Sequence, residues 1–233
     1  MQVIEVTGYA VRSAVITMRR RESPLRFVFF PMMHVASPVF YRQVTARLAA
    51  CDLIVAEGIR GRSWRVGMVT LAYRWAPRRA RNGLELQSDQ NLLPAGVPVI
   101  NPDVTAAEAV AQLRTLPRWM YWGLLLGAPV FGLIFALRGP RAFLDEDAVV
   151  EDLPSTHRAE WLVDERVDEA LGGERDRRLL DALSAIHAER HDEPITVAIV
   201  YGAGHIPAVA AGLQIRHGYR PRSAEWLTVY LSR

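Results

Sequence analysis

The chain of 233 residues is 50% hydrophobic and 23% charged, a balance that excludes a disordered, collagen-like or coiled-coil protein. Its single cysteine, Cys51, excludes an internal disulfide and a cysteine-based zinc finger and suits a reducing compartment. All 28 basic residues are arginine, which removes lysine chemistry, and the net charge of +3 conceals a division along the chain: 18 arginines against 8 acids over residues 1–141, 6 against 16 over 142–193, and 4 against 1 over 194–233.

The opening residues show no charged and apolar leader of the secretory type, so a cytoplasmic location is expected. Residues 2–18 alternate well enough for one or two strands, with Val3, Ile4 and Val6 in the first stretch and Ala14, Val15 and Ile16 in the second. Residues 27–30 (FVFF) form a continuous apolar run, the pattern of a strand buried on both faces. Ser37 then reads as an N-cap with Pro38 at the first helical position, and Phe40, Val44 and Leu48 fall on one stripe of the helix. Residues 52–57 (DLIVAE) supply a second buried strand, so residues 26–57 are expected as a β-α-β unit with a parallel pair.

Residues 60–81 carry seven arginines around Val66, Met68, Leu71 and Trp75, the composition of a basic amphipathic helix. A surface helix over the sheet is the expectation, since aromatic groups are too sparse for a nucleic-acid platform. Residues 97–100 read as a third short strand, and Thr105 caps a helix to about Leu113. Next come 19 residues without a charge, Trp119 to Leu137, bounded by Arg118 and Arg138 and broken by Gly127-Ala-Pro129. Residues 158–190 read as a charged helical pair interrupted at Gly172-Gly173. The last strongly buried strand is expected at 195–200, followed by Gly202-Ala-Gly-His205, a helix begun by Pro207 and a closing strand at 226–231.

The sum is one α/β domain over residues 1–233, with a mainly parallel central sheet flanked by helices. A helical insertion spans 60–170 and includes the apolar segment 119–137. Three buried strands run into residues suited to chemistry: His34, Glu57-Gly58 and Gly202-Ala-Gly-His205. Parallel strands would bring all three to one edge of the sheet, where open α/β sheets hold their ligands. Two imidazoles and a carboxylate have the composition of a metal site with open positions, and Gly202 and Gly204 would let the backbone approach a ligand. The histidines lie 171 positions apart, so no compact signature supports the set, and a structural histidine is the alternative at each site.

These motifs, together with Glu174-Arg175-Asp176 in a helix, resemble the TraB/PrgY/GumN group, which stands with the Tiki proteases and more distantly the erythromycin-esterase and ChaN-like proteins. The resemblance covers about residues 26–60 and 172–219. It implies an α/β fold and a metal-dependent hydrolase, peptidase-like, cleaving an amide or ester with Mn, Co or Zn. His34 and His205 would be metal ligands, Glu57 a ligand or general base, and Arg175 a partner of Glu57 or of a substrate carbonyl. From position alone, Gly202 and Gly204 would line the substrate, a peptide or small molecule, and Tyr201 is either a hydrogen-bond donor to it or a core-packing residue. One departure is Pro31, where the group's first GxxH motif has glycine. A proline has no N–H and a fixed φ, so a non-catalytic binding or regulatory protein retaining the fold is the alternative.

Residues 119–137 cannot be one simple span if His34 and His205 share a site, because these lie on opposite sides of it in the chain. A bent apolar hairpin is expected, touching a membrane surface or a second copy of the chain through its GxxxG spacing, with no nucleic acid as partner. His157, His187, His191 and His217 read as surface residues, although His187 and His191 have the i, i+4 spacing of helix-face chelators. Cys51 reads as a small buried residue, Asp103 as a turn or cap residue or a supporting carboxylate, and Asp176 as a solvated helix charge.

Overall fold

The computed structural model describes residues 1–61, 83–87, 92–123, 125–127 and 173–231. The expected basic helix at 60–81, most of the apolar segment, the first half of the charged pair and His157 lie outside the described residues. Elements are numbered over the described residues. The strands are β1 (Ile4–Val6), β2 (Ala10–Arg19), β3 (Arg26–Met32), β4 (Val35–Ala36), β5 (Leu53–Ala56), β6 (Glu85–Leu86), β7 (Val99–Ile100), β8 (Thr196–Gly202) and β9 (Arg220–Leu231). The helices are α1 (Pro38–Leu48), α2 (Ala106–Leu113), α3 (Glu174–Arg190) and α4 (Ile206–His217), with a 3-10 turn, Ala203–His205, leading into α4.

Seven strands form one mixed sheet. β3, β8, β5 and β7 are parallel neighbours in that order, while β2 runs antiparallel to β1, β3 and β9. The chain is thus α/β with a largely parallel centre flanked by helices, as expected. β3 and β5 run parallel but are not a pair, because β8, which arrives 140 residues after β5, inserts between them. The 2–18 region forms two strands, and the closing strand starts at Arg220 rather than 226. Its first half reads as polar because it is exposed, and backbone pairing to β2 holds it in place instead of burial.

The apolar runs behave as their composition requires. Phe27, Phe29 and Phe30 of β3 and Val197, Ala198 and Ile199 of β8 are all buried, each large side chain contributing about 1.5–3 kcal/mol of transfer free energy. Pro31 is accommodated because the β2 ladder ends at Ile16↔Phe29, and its carbonyl accepts from Ser13 Oγ at 2.7 Å. Ser37 caps α1 by accepting from the Phe40 N–H at 3.2 Å, and Phe40, Val44 and Leu48 face the core. Thr105 and Glu108 form a capping box at the start of α2. α3 and α4 pack closely at Gly212, where a Cβ would collide with the Leu180 side chain.

Of the apolar segment, residues 118–123 and 125–127 are helical, with Met120 and Leu125 buried and Trp119, Trp122 and Leu126 exposed. No helix among the described residues is long and apolar enough to cross a membrane.

Candidate active site

Parallel orientation brings the carboxyl ends of β3, β8, β5 and β7 to one edge of the sheet. His34 follows β3, Glu57 follows β5, Asp103 follows β7, and β8 ends at Gly202 before the turn that carries His205. The first turn of α3 adds Glu174, Arg175 and Asp176.

Arg175 is the centre of the cluster. Its guanidinium forks onto Asp103, with Nε donating to Oδ1 at 2.8 Å and Nη2 to Oδ2 at 2.7 Å. Nη2 also donates to Glu57 Oε1 at 2.5 Å. Asp103 is fully buried and accepts two backbone N–H groups besides, from Gly58 at 3.0 Å and Val104 at 2.8 Å. The second oxygen of Glu57 accepts the Gly202 N–H at 2.6 Å. Glycine eases that approach, since a Cβ at position 202 would stand 3.3 Å from Glu57 Oε2 and the carboxylate would have to give by a few tenths of an ångström.

His205 is oriented from the other side. Its Nδ1 lies 2.6 Å from Asp176 Oδ1, and because a carboxylate only accepts, Nδ1 carries a proton and donates. Nε2 faces Arg175 Nη1 at 3.4 Å and Glu57 Oε1 at 3.8 Å. The Tyr201 ring meets the imidazole edge-on, with centroids 5.9 Å apart. The Tyr201 hydroxyl is buried and finds no hydrogen-bond partner among the described residues.

The electrostatics follow from these contacts. Burial pushes the Glu57 carboxyl up, but Arg175, His205 and the Gly202 N–H outweigh it and hold the group below the usual carboxylate range. Asp103 is held down in the same way, with the Arg175 hydrogen bonds and charge overcoming burial. Burial and the charges of Asp103 and Glu57 push the Tyr201 phenol up, so it stays a donor at neutral pH.

The structure therefore brings together Glu57, Arg175, His205, Gly202 and Tyr201 of the expected set. Gly204 is exposed on the turn, and His34 is half-buried beside the edge, its carbonyl accepting from the Gln87 N–H at 2.8 Å. No group of three His, Cys, Asp or Glu side chains suited to a metal ion occurs among the described residues. Moreover, the Arg175 guanidinium lies against both Glu57 Oε1 and His205 Nε2, the two donors an ion would share. As they stand, these donors do not fit a divalent ion.

Asp176, expected as a solvated charge, instead holds His205, while Asp103 is both things expected of it, a turn residue and a carboxylate supporting Arg175. The only signal was position: Asp103 follows a fourth parallel strand, and Asp176 adjoins Arg175 in the first turn of a helix. Elsewhere, His187 is corrected from surface to buried. Its ring packs against His217 and His191 at 4.5 and 5.3 Å and bonds Tyr219 OH at 3.1 Å. Cys51 is half-buried, and burial with Asp52 pushes its thiol up to about 11, which makes it a poor nucleophile.

Compared with protein-family models, curated proteins and solved structures, the chain finds no match.

Proposed function

We propose that the protein is a hydrolase that shares the site residues of the TraB/GumN/Tiki group but departs from it in mechanism, cleaving an amide or ester with water activated by His205 rather than by a metal ion. The observation that carries this reading is the Asp176–His205 pair at 2.6 Å, which engages Nδ1 and leaves Nε2 turned toward Glu57 and Arg175. The resemblance stated above supplies the reaction class. Because the donors do not fit a metal ion as arranged, no step is routed through one.

In the proposed reaction Arg175 Nη1 gives up its contact with Nε2 as substrate binds, and a water that takes its place gives its proton to His205 as its oxygen attacks the substrate carbonyl carbon. The carbonyl π bond breaks and leaves an oxyanion, for which Arg175 Nη1 is the available donor, as this nitrogen has no carboxylate partner. Tyr201 offers a second, protonated donor. Collapse of the tetrahedral species breaks the bond to the leaving group, which takes the proton back from His205. The imidazolium formed in between is stabilised by Asp176 and by Glu57 at 3.8 Å. With both oxygens engaged and its pKa lowered, Glu57 suits this charge role better than that of base.

The test is a screen of chromogenic peptides and esters, repeated with His205→Ala, Asp176→Asn and Glu57→Gln. Turnover lost in the first two variants supports the proposal. A second reading, a non-catalytic protein docking through the apolar segment at a membrane, is favoured by the exposed Trp119, Trp122 and Leu126. It predicts vesicle binding that is lost when these three become serine, with no turnover in any arm.

A further inference from the structure

The opposite end of the parallel strands carries a second concentration of chemistry. β3 begins at Arg26 and β8 at Thr196, which are register partners. Six residues separate Arg26 from the site edge, so at about 3.3 Å per residue the two ends stand roughly 20 Å apart.

Here three arginines share one row of the sheet. Arg19 at the end of β2 pairs with Arg26 on one side and with Arg220 on the other. Like charges directly opposed across strands destabilise a sheet, so fold stability does not account for the row. No carboxylate among the described residues pairs with Arg19, Arg21, Arg26, Arg220 or Arg222, all of which are exposed. A register shift between Thr17 and Met18 sets Arg222 out of the ladder beside them.

Two adjoining cavities of about 700 and 530 Å³ open on this face and share Arg19, Arg20, Arg21 and Arg222. Both are broad depressions open to solvent, so a ligand there would be held by charge rather than by enclosure. The larger is also lined by Thr17, Ser23, Thr196 and Ser223, and Glu22 is the one carboxylate-bearing residue on either. Guanidinium forks match phosphate oxygens, whereas no Phe, Tyr or Trp ring lines either cavity for a base to stack on and His217, on the smaller, is the single aromatic group.

We propose that this arginine face, centred on Arg19, Arg26 and Arg222, binds a small polyphosphorylated anion, either free or as the headgroup of a lipid. The site is independent of the hydrolytic one. The test is titration calorimetry of the full chain with sodium tripolyphosphate, alongside sedimentation with phosphatidylcholine vesicles with and without phosphatidylinositol bisphosphate. The expected result is saturable binding in at least one arm, weakened tenfold or more in Arg19→Gln/Arg26→Gln and unchanged in His205→Ala and in Arg42→Gln on α1. Binding to tripolyphosphate identifies a free anion, and binding only to the phosphoinositide vesicles identifies a headgroup. Because the double variant removes like-charge opposition, its melting temperature should not fall, so lost binding is not lost fold. Absence of binding in both arms would overturn the proposal. So would equal weakening by Arg42→Gln, or tighter binding of a single-stranded oligonucleotide than of tripolyphosphate at the same salt.

Discussion

Asp176 accepts from His205 Nδ1 at 2.6 Å, and this one contact sets the tautomer of the imidazole and turns Nε2 toward Glu57 and Arg175. The two residues come from different layers, Asp176 from the first turn of α3 and His205 from the turn after β8. Docking of α3 therefore assembles the proposed base.

Asp176→Asn is expected to lower kcat by about 10²–10⁴, the range for loss of an acid–base function, with KM changed little. The amide can donate to Nδ1 and so favour the wrong tautomer. Steady-state kinetics on the best ester or peptide of the screen check this, and an unchanged kcat would contradict it.

Arg175→Met should destabilise the fold by about 3–5 kcal/mol, because Asp103, 0% exposed, would keep its charge without its partner. Replacing Asp103 by Asn in the same chain should recover part of the loss. Urea unfolding of the single and double variants measures both, and equal stabilities of wild type and Arg175→Met would count against the pairing.

Much of this architecture was legible in the chain. The apolar runs of β3, β5 and β8 are buried on both faces, and the residues after them meet at one edge because their strands run parallel. The order of those strands was not legible, since an apolar run states burial and not its neighbour. Asp176 was hidden for a local reason: adjacent helix positions diverge by about 100°, so pairing of Arg175 said nothing about the next residue. His187 was hidden because its covering groups, His217 and Tyr219, arrive from the end of α4 and from the residue before β9, some 30 positions away in the chain.

Gly202→Ala should weaken the site without unfolding the protein. The added Cβ, 3.3 Å from Glu57 Oε2, lengthens the 2.6 Å bond from the Gly202 N–H and shifts the carboxylate that holds Arg175. The expected outcome is a fall in kcat/KM with a smaller change in urea midpoint. A midpoint that falls while kcat/KM is retained would contradict the role given to this contact.

Stability should decline in two windows as pH falls. Burial, then the charges of His217, Arg20 and His191, lowers the His187 pKa from its usual 6.5, and burial with Arg216 and Arg20 lowers that of His217. Below pH 6.5 the unfolded chain thus takes up protons first and stability drops. Glu57 and Asp103 lie below their usual 4.5 and 3.8, so their stabilisation is full above those values and lost as pH falls further. Urea midpoints from pH 8 to 3 read both steps, and a midpoint constant from pH 7 to 5 would contradict the first.

The most direct measurement is the rate of hydrolysis of a peptide or ester substrate by wild type and His205→Ala, each in the presence of a chelator, with thermal unfolding confirming that both are folded. The account predicts turnover by the wild type that survives chelation and falls about 100-fold or more without the imidazole. Equal turnover by the two proteins would contradict it, as would wild-type activity abolished by the chelator and restored by a divalent ion.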